Sequence, residues 1–269
     1  MSYFEVAVLA SGSKGNATVL RCGRKVFLID LGISCRRLVK SMAEVGFAPE
    51  DLECVFLTHE HSDHTKGLAT FLKKYQIPVR ASTGTLLALY GANWSLDARM
   101  QSVSAPLHFG PLEVMPFAVS HDAREPLGYS FAEGRHKLAY VTDTGYVNDS
   151  IKAAVQGAEV LVVEANHDPF MLKHGRYPAE LKKRIMGTRG HLNNTAAGWL
   201  VAGMKPPPRE IFLAHLSQEN NTPSMALNTV EDILQQQGLE HQVKIYVTSQ
   251  ETTIQNFIEE DHHEQNIFA

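Results

Sequence analysis

The stretch Thr58-His59-Glu60-His61-Ser62-Asp63-His64 constrains this chain more than any other, because it packs three histidines and an aspartate into six residues. The run Cys54-Val55-Phe56-Leu57 precedes it and reads as a short buried strand. The cluster therefore falls on a loop just past a strand end. Gly67, Leu68, Phe71 and Leu72 follow at helical spacing, so the loop is held between a strand and a helix. An extended backbone sends His59 and His61 to one side, and Asp63 and His64 turn to the other. Two adjacent ligand sets result, with the imidazole and carboxylate chemistry that suits zinc, manganese or iron.

A polar loop rich in histidine by chance is the bland alternative, and it would bring no remote partners. Here partners exist. Asp30 ends the run Val26-Phe27-Leu28-Ile29, His121 follows residues 114–120, Asp143 follows residues 138–142, and His215 follows Ile211-Phe212-Leu213-Ala214. Each sits at the end of an apolar, strand-like run.

The order Asp30, His59-x-His61-x-Asp63-His64, His121, Asp143, His215 resembles the metallo-β-lactamase-fold hydrolases, from about the first strand to His215. The resemblance implies an α/β (α+β) fold, the four-layer αββα sandwich, with the site along the sheet edges. It implies one ion on His59, His61 and His121, a second on Asp63, His64 and His215, and Asp143 bridging both. Asp30 would orient the histidine loop, since a ligating histidine needs its other ring nitrogen held. The cofactors expected are two divalent ions (zinc, manganese or iron). A hydroxide between ions about 3.5–4 Å apart would be the nucleophile. A bridging aspartate fits hydrolysis better than redox chemistry, although diiron relatives share the fold.

Two further residues bear on the substrate. Glu164 closes the run Val160-Leu161-Val162-Val163, and His191 lies in Gly190-His191-Leu192-Asn193-Asn194, just before a helix. Either alone reads as a buried carboxylate or a capping-loop histidine. Together they resemble the glutamate–histidine pair of tRNase Z-like enzymes, in which the histidine protonates the leaving oxygen and the glutamate orients it. A phosphodiester has a poor leaving group and gains from such an acid. Asp63, Glu164 and His191 are thus the catalytic candidates.

The loop Ser11-Gly12-Ser13-Lys14-Gly15-Asn16 lacks the ending of a P-loop. It reads either as a plain hairpin turn or as a phosphate cradle of backbone N–H groups. Ser11, Ser13 and Asn16 are candidate substrate contacts, with His167, Asn194 and Ser217. Lys173, His174, Arg176, Lys182, Lys183, Arg184 and Arg189 form a basic stretch leading into His191. A solvated helix face is the ordinary explanation, and its position favours phosphate contacts. Arg36, Arg37 and Lys40 read as solvated, and His136 as an exposed turn residue.

Without a long tRNA-gripping insertion or a β-CASP cap domain, the chain looks most like the YycJ/WalJ-type subgroup of the nuclease branch. That resemblance implies a 5′-to-3′ DNA exonuclease acting in the cytoplasm, with a nucleic-acid partner, DNA favoured over RNA. The net charge of −4 and pI near 6.3 count mildly against a nucleic-acid binder, but bound ions would reverse the local field. A small-molecule phosphodiesterase and an RNA-processing nuclease are the alternatives. A thioester or lactam hydrolase fits the Glu164/His191 pair less well.

The 269 residues, 44% of them hydrophobic, suffice for one large core, and no linker divides them, so a single domain over 1–269 is expected. The acidic tail from about residue 259, with His262 and His263, reads as loose. The N-terminal residues show no signal peptide, and no run is long enough to cross a membrane. Cys22, Cys35 and Cys54 form no framework and read as reduced thiols. The last strand expected is 243–247.

Overall fold

The computed structural model describes residues 4–91 and 97–258, so the expectation for the acidic tail, with His262 and His263, lies outside the described residues. Two seven-stranded sheets face each other. The first is built from β1 (Phe4–Ala10), β2 (Ala17–Cys22), β3 (Lys25–Ile29), β4 (Leu52–Phe56), β5 (Val79–Ala81) and β6 (Met100–Ser102). The second holds β7 (Leu107–Phe109), β8 (Leu112–Ala118), β9 (Leu127–Glu133), β10 (His136–Val141), β11 (Val160–Glu164), β12 (Glu210–Ala214) and β13 (Lys244–Val247). A further strand, β14 (Ile254–Ile258), returns to pair antiparallel with β1. The sequence reading stopped at β13, because an edge strand as polar as Ile254-Gln255-Asn256 shows little apolar alternation.

The two sheets repeat one plan. Each begins with antiparallel hairpins and continues with parallel strands: β3 to β6 in the first sheet, β10 to β13 in the second. Parallel strands need covering on both faces, which explains their continuous apolar runs. The covering helices are α1 (Cys35–Glu44), α2 (Ser62–Thr65), α3 (Leu68–Leu72), α4 (Thr83–Tyr90), α5 (Asp149–Val155), α6 (Pro169–His174), α7 (Ala179–Ile185), α8 (Asn194–Ala202) and α9 (Pro223–Gln236).

Strand alternation distributes side chains among three cores. In β3, Val26 and Leu28 pack toward α1 and α3, whereas Phe27 and Ile29 point between the sheets. In β12, Ile211 and Leu213 meet α8 and α9, whereas Phe212 and Ala214 face inward. The inter-sheet core is aromatic. Phe56 lies 5.1 Å from Tyr129 and 5.6 Å from Phe131 between ring centres, and Phe27 lies 5.8 Å from Phe131. The layers run helix, sheet, sheet, helix, as expected. Among the described residues no helix is long and apolar enough to cross a membrane.

The helix caps follow the sequence. Ser34 caps α1, Asn148 caps α5, Asn193 caps α8 and Thr222 caps α9, each accepting from a backbone N–H three residues on. Two expectations fail. His136 is buried as the first residue of β10, with Nδ1 2.7 Å from Glu159 Oε2, because its hairpin folds against α5's exit. Arg37 is part-buried and donates to the Gln250 carbonyl, tying α1 to the loop after β13.

The histidine loop is clamped from behind. Asn16 N–H donates to Asp63 O, Leu31 N–H to His64 O, and Gly67 N–H to Leu31 O. Gly32 sits inside this clamp, where a Cβ would come 1.6 Å from Asp63 O and 2.7 Å from Asn16 N. Backbone atoms on both sides cannot yield as side chains do. Gly32→Ala should therefore displace the Asp63–His64 turn and destabilise the protein by about 3 kcal/mol or more, at the upper end of overpacking costs. Thermal unfolding and metal titration of the variant check this, and wild-type behaviour in both would refute the clamp.

Candidate metal centre and catalytic cleft

Most site residues leave the C-terminal end of a parallel strand or the loop beyond it, where open α/β sheets place ligands, whereas His121 follows the antiparallel strand β8. Asp30 follows β3, Thr58 and His59 follow β4, Asp143 follows β10, Glu164 ends β11 and His215 follows β12. Asp30, Asp143 and His215 have φ of 60°, 53° and 55°, and among the described residues they are the non-glycine residues with positive φ. The left-handed turn costs of order 1–3 kcal/mol per residue and bends each side chain back toward the sheet edge.

The side chains meet. The ligand atoms of His59, His61 and His121 lie within 4.8 Å of one another, as do those of Asp63, His64 and His215. Asp143 groups with His59 and His64, one from each set, and its Oδ2 is 3.2 Å from His64 Nε2 while its Oδ1 is 3.8 Å from His121 Nε2. These are two adjoining places for divalent ions with a carboxylate between them.

Four of the five ligand rings, those of His59, His64, His121 and His215, are held through Nδ1. Asp30 is fully buried. It accepts from Thr58 N–H at 2.8 Å and from His64 Nδ1–H at 2.7 Å, and Thr58 Oγ1 donates to its Oδ2 at 2.9 Å. With its proton given to Asp30, Thr58 Oγ1 can accept from His59 Nδ1, 3.0 Å away. His121 Nδ1 lies 2.9 Å from the Gly190 carbonyl, and His215 Nδ1 lies 3.0 Å from Glu164 Oε1. The Nε2 atoms are thereby left for ions, the arrangement that second-shell acceptors impose on ligating histidines.

The donor set fits two cations. His59 Nε2 is buried without a hydrogen-bond partner, a condition worth about 1–3 kcal/mol of penalty unless something binds it. Burial alone would lower the His64 pKa, yet Asp30 and Asp143 raise it well above the ordinary value. The Asp143 carboxyl, also resisted by burial, is held well below the ordinary carboxylate range by His215 and His64. The carboxylates thus favour positive charge beside His64, while burial, with the neighbouring His64 ring, lowers the His59 pKa and burial lowers that of His121, which leaves those rings neutral as an ion requires.

Beside it lies a cleft of about 190 Å³ lined by His121, Asp122, Arg184, His191, Ser13 and Ser217, among others. The His191 side chain is 20% exposed, and its Nδ1 donates to Glu164 Oε1 at 2.7 Å. Burial pushes the His191 pKa down, but the Glu164 charge and hydrogen bond outweigh it and raise the pKa above the ordinary value. Glu164 is wholly buried, and its Oε2 accepts from the N–H groups of Thr144 at 2.9 Å and Leu192 at 3.1 Å. Burial opposes its charge, yet His191 and His215 hold its pKa down to about 2.

Other expected residues are placed differently. The glycine loop is a brace rather than a cradle. The N–H groups of Ser11, Gly12, Lys14, Gly15 and Asn16 all donate within the protein. Ser11 Oγ accepts from His215 N–H at 2.7 Å and so supports that ligand's backbone, whereas Asn16 Nδ2 lies 3.1 Å from His64 Nε2, the atom an ion would take; Ser13 alone of the three reaches the cleft. Asn194 is buried in a reciprocal amide pair with Asn221 at 3.0 and 2.9 Å, and His167 is buried with its pKa lowered to about 4 by burial. Neither lines the cleft. The basic stretch is partly occupied: Lys182 donates to Lys173 O, Arg189 to His121 O, and Arg184 pairs with Asp122 at 2.6 Å. The sequence reading missed Asp122, whose Oδ1 lies 3.2 Å from His121 Nε2. Its adjacency to His121 was the available signal.

Comparison with known proteins agrees with this geometry. A family profile described as "Beta-lactamase superfamily domain" matches residues 26–216. The chain belongs to the metallo-β-lactamase-fold hydrolases. It is 39% identical to the Bacillus anthracis "Exodeoxyribonuclease YycJ" over 86% of this chain and 89% of that one. It is 35% identical to the Streptococcus pneumoniae "Exodeoxyribonuclease WalJ" over 93% and 96%. The fold matches YhfI, a metallo-β-lactamase fold protein from Bacillus subtilis, with TM-score 0.68 and 18% identity, covering 94% of this chain and 100% of that one. As a metallo-β-lactamase-fold hydrolase, the protein is a binuclear metallohydrolase.

Asp143 tests the shared position. Asp143→Ala should lose most of the two divalent ions bound per chain and most activity, measured by metal analysis of the purified protein. Chelation should also lower the Tm of the wild type, because ions that bind only the folded chain stabilise it. A fully loaded, fully active Asp143→Ala protein would exclude the bridging role.

Proposed function

We propose that the protein is a 5′-to-3′ DNA exonuclease that uses two divalent ions. One observation carries the reading: His191 stands in the cleft at the edge of the ion cluster, with Nδ1 fixed by Glu164 and its pKa raised. A protonated imidazole there suits an alkoxide leaving group, which thioesters and lactams do not require to the same degree. The likeness to proteins named exodeoxyribonucleases over most of both chains supports DNA as substrate.

In this reading His59, His61 and His121 would hold one ion, Asp63, His64 and His215 the other, with Asp143 available to both. When bound, the ions polarise the phosphoryl oxygen and acidify the attacking water. Asp63, 22% exposed at its side chain, would accept a hydrogen bond from that water. The water oxygen forms the new bond to phosphorus. The P–O3′ bond breaks with its electron pair on O3′, and His191 donates the proton that O3′ takes up. The proton shed by the water leaves His191 reprotonated at the end of the cycle. Ser13 and Ser217 contact substrate at the cleft, and the exposed Lys173, Arg176 and Lys183 contact the phosphate backbone. Buried, unpaired Cys22, Cys35 and Cys54 fit a reducing cytoplasm.

His191→Ala should keep both ions and lower kcat on DNA by about 10²–10⁴-fold. A nitrophenyl phosphodiester, whose leaving group needs little protonation, should lose far less. Equal losses on both substrates would remove the acid role. Glu164→Gln should show the same pattern with an added loss of metal affinity, since Glu164 also holds His215. Rates on end-labelled DNA should fall steeply with salt. Intact polymers alongside rapid turnover of cyclic nucleotides would favour a small-molecule phosphodiesterase.

A further inference from the structure

A six-residue helix such as α6 is too short to hold itself together in water, so its neighbours must fix it. Asp168 caps it, with Met171 N–H donating to Oδ1 at 2.8 Å, and Asp168 N–H donates to the Asn220 carbonyl at 2.9 Å. Leu172 is fully buried, and Lys182 Nζ of α7 donates to Lys173 O at 2.9 Å at the far end. The outer face of this fixed helix carries an aromatic pair one turn apart. The Phe170 and His174 rings lie 4.1 Å apart between centres with their planes 35° from each other. His174 Nδ1 donates to the Phe170 carbonyl at 2.9 Å, which fixes the second ring. Phe170 is nevertheless 69% exposed, more than any other large hydrophobic side chain among the described residues, so its ring keeps a free face. A lone apolar residue on a surface needs no explanation, but this one has charged company. Residues 173–189 hold six lysines and arginines against one acidic residue, Glu180, in a chain of net charge −4. Lys173 and Arg176 are exposed, and among the described residues no carboxylate pairs with either. Tyr177, next in the chain, lines the cleft, so the pair and its cations lie outside the cleft at its margin.

We propose that Phe170, backed by His174 and flanked by Lys173 and Arg176, is a stacking platform for a base of single-stranded DNA outside the cleft. The inference rests on the exonuclease reading above and names the form of DNA that this surface accepts. A nucleotide offers a flat π-face and, on either side of it, a phosphate. The free face of Phe170 meets the first and the two cations meet the second, the combination by which single strands are held without regard to sequence. In a duplex the bases are already stacked on one another, so the platform holds single strands and frayed ends. Because the pair is ordered before a base arrives, little conformational freedom is lost on docking.

The experiment measures the affinity of the full-length, metal-loaded protein for a phosphorothioate oligonucleotide, which resists cleavage, as a single strand and as a duplex. Phe170→Ala should weaken single-strand binding about tenfold or more, the worth of one base–aromatic stack. Duplex binding, metal content and Tm of the variant should stay at wild-type values. Phe170→Trp, with a larger face, should bind single strands at least as tightly as the wild type. A fluorescent adenine analogue moved along the strand should change its emission at one position with the wild type and not with Phe170→Ala. Lys173→Gln and Arg176→Gln should instead make binding less steeply dependent on salt. Wild-type affinity of Phe170→Ala for single strands, or an equal loss on single strand and duplex, would overturn the platform. If the metal-loaded protein leaves DNA uncut while binding depends on Phe170 in this way, the exonuclease reading fails and the platform stands. If DNA is cut and Phe170→Ala binds single strands as the wild type does, the platform fails and the exonuclease reading stands.

Discussion

An imidazole has two nitrogens, and a ligand site works only if the protein decides which one faces the ion. Buried acceptors make that decision here. Asp30 takes the Nδ1 proton of His64, Thr58 stands against Nδ1 of His59, the Gly190 carbonyl against that of His121, and Glu164 against those of His215 and His191. Most of the cluster's order follows from this constraint. Buried carboxylates such as Asp30 and Glu164 would be expensive alone, and they are tolerated because each is saturated with N–H donors and sits near cationic partners. The same hydrogen bonds that fix the rings therefore make the carboxylates affordable in the interior.

The sheet edge supplies the second half of the construction. Parallel strands deliver their C-terminal ends together, but a strand that simply ran on would carry its next side chain past the cluster. Left-handed backbone at Asp30, Asp143 and His215 turns the chain within one residue. None of these is a glycine, because the side chain is the reason for the turn. The strain is borne by a frame in which Gly32 lets two loops touch backbone to backbone and Tyr129 Oη donates to Leu57 O at 2.7 Å.

Much of this was legible in the sequence because the chemistry and the strand ends coincide. Apolar runs that stop at Asp30, Asp143, Glu164 and His215 mark both the sheet and the site, so locating one located the other. What the sequence hid depends on where hydrogen bonds close. Ser11-Gly12-Ser13-Lys14-Gly15-Asn16 has the composition of an anion cradle, and only the fold shows its N–H groups already bonded to Ser249, Gln250, Asp63 and the loop itself. His136 follows a hairpin turn like any exposed residue, and its burial depends on Glu159 from a distant segment. Asn194 and Asn221 satisfy each other across 27 positions, which no local pattern records. Asp122 and Arg184 are likewise 62 positions apart and become a pair only when the loop after β8 meets α7.

Glu164 has a consequence for how this site can be dissected. One oxygen, Oε1, lies 2.7 Å from Nδ1 of the proposed acid and 3.0 Å from Nδ1 of a proposed ligand. The two rings stand 5.3 Å apart between centres, with their planes 32° from each other. An oxygen shared this way gives its charge to both rings, so a change at one alters what the other receives. With His191 removed, Glu164 Oε1 has only His215 to bind, and His215 is held more firmly. With His215 replaced, the field on His191 rises in the same manner. Losses at Glu164, His191 and His215 should therefore not add, as expected for residues in one hydrogen-bonded network. A double-mutant cycle between Glu164→Gln and His191→Ala, read as kcat on DNA, should show a coupling of about 0.5–3 kcal/mol. Strict additivity would mean that Glu164 acts on His215 alone, and the acid would then need another support.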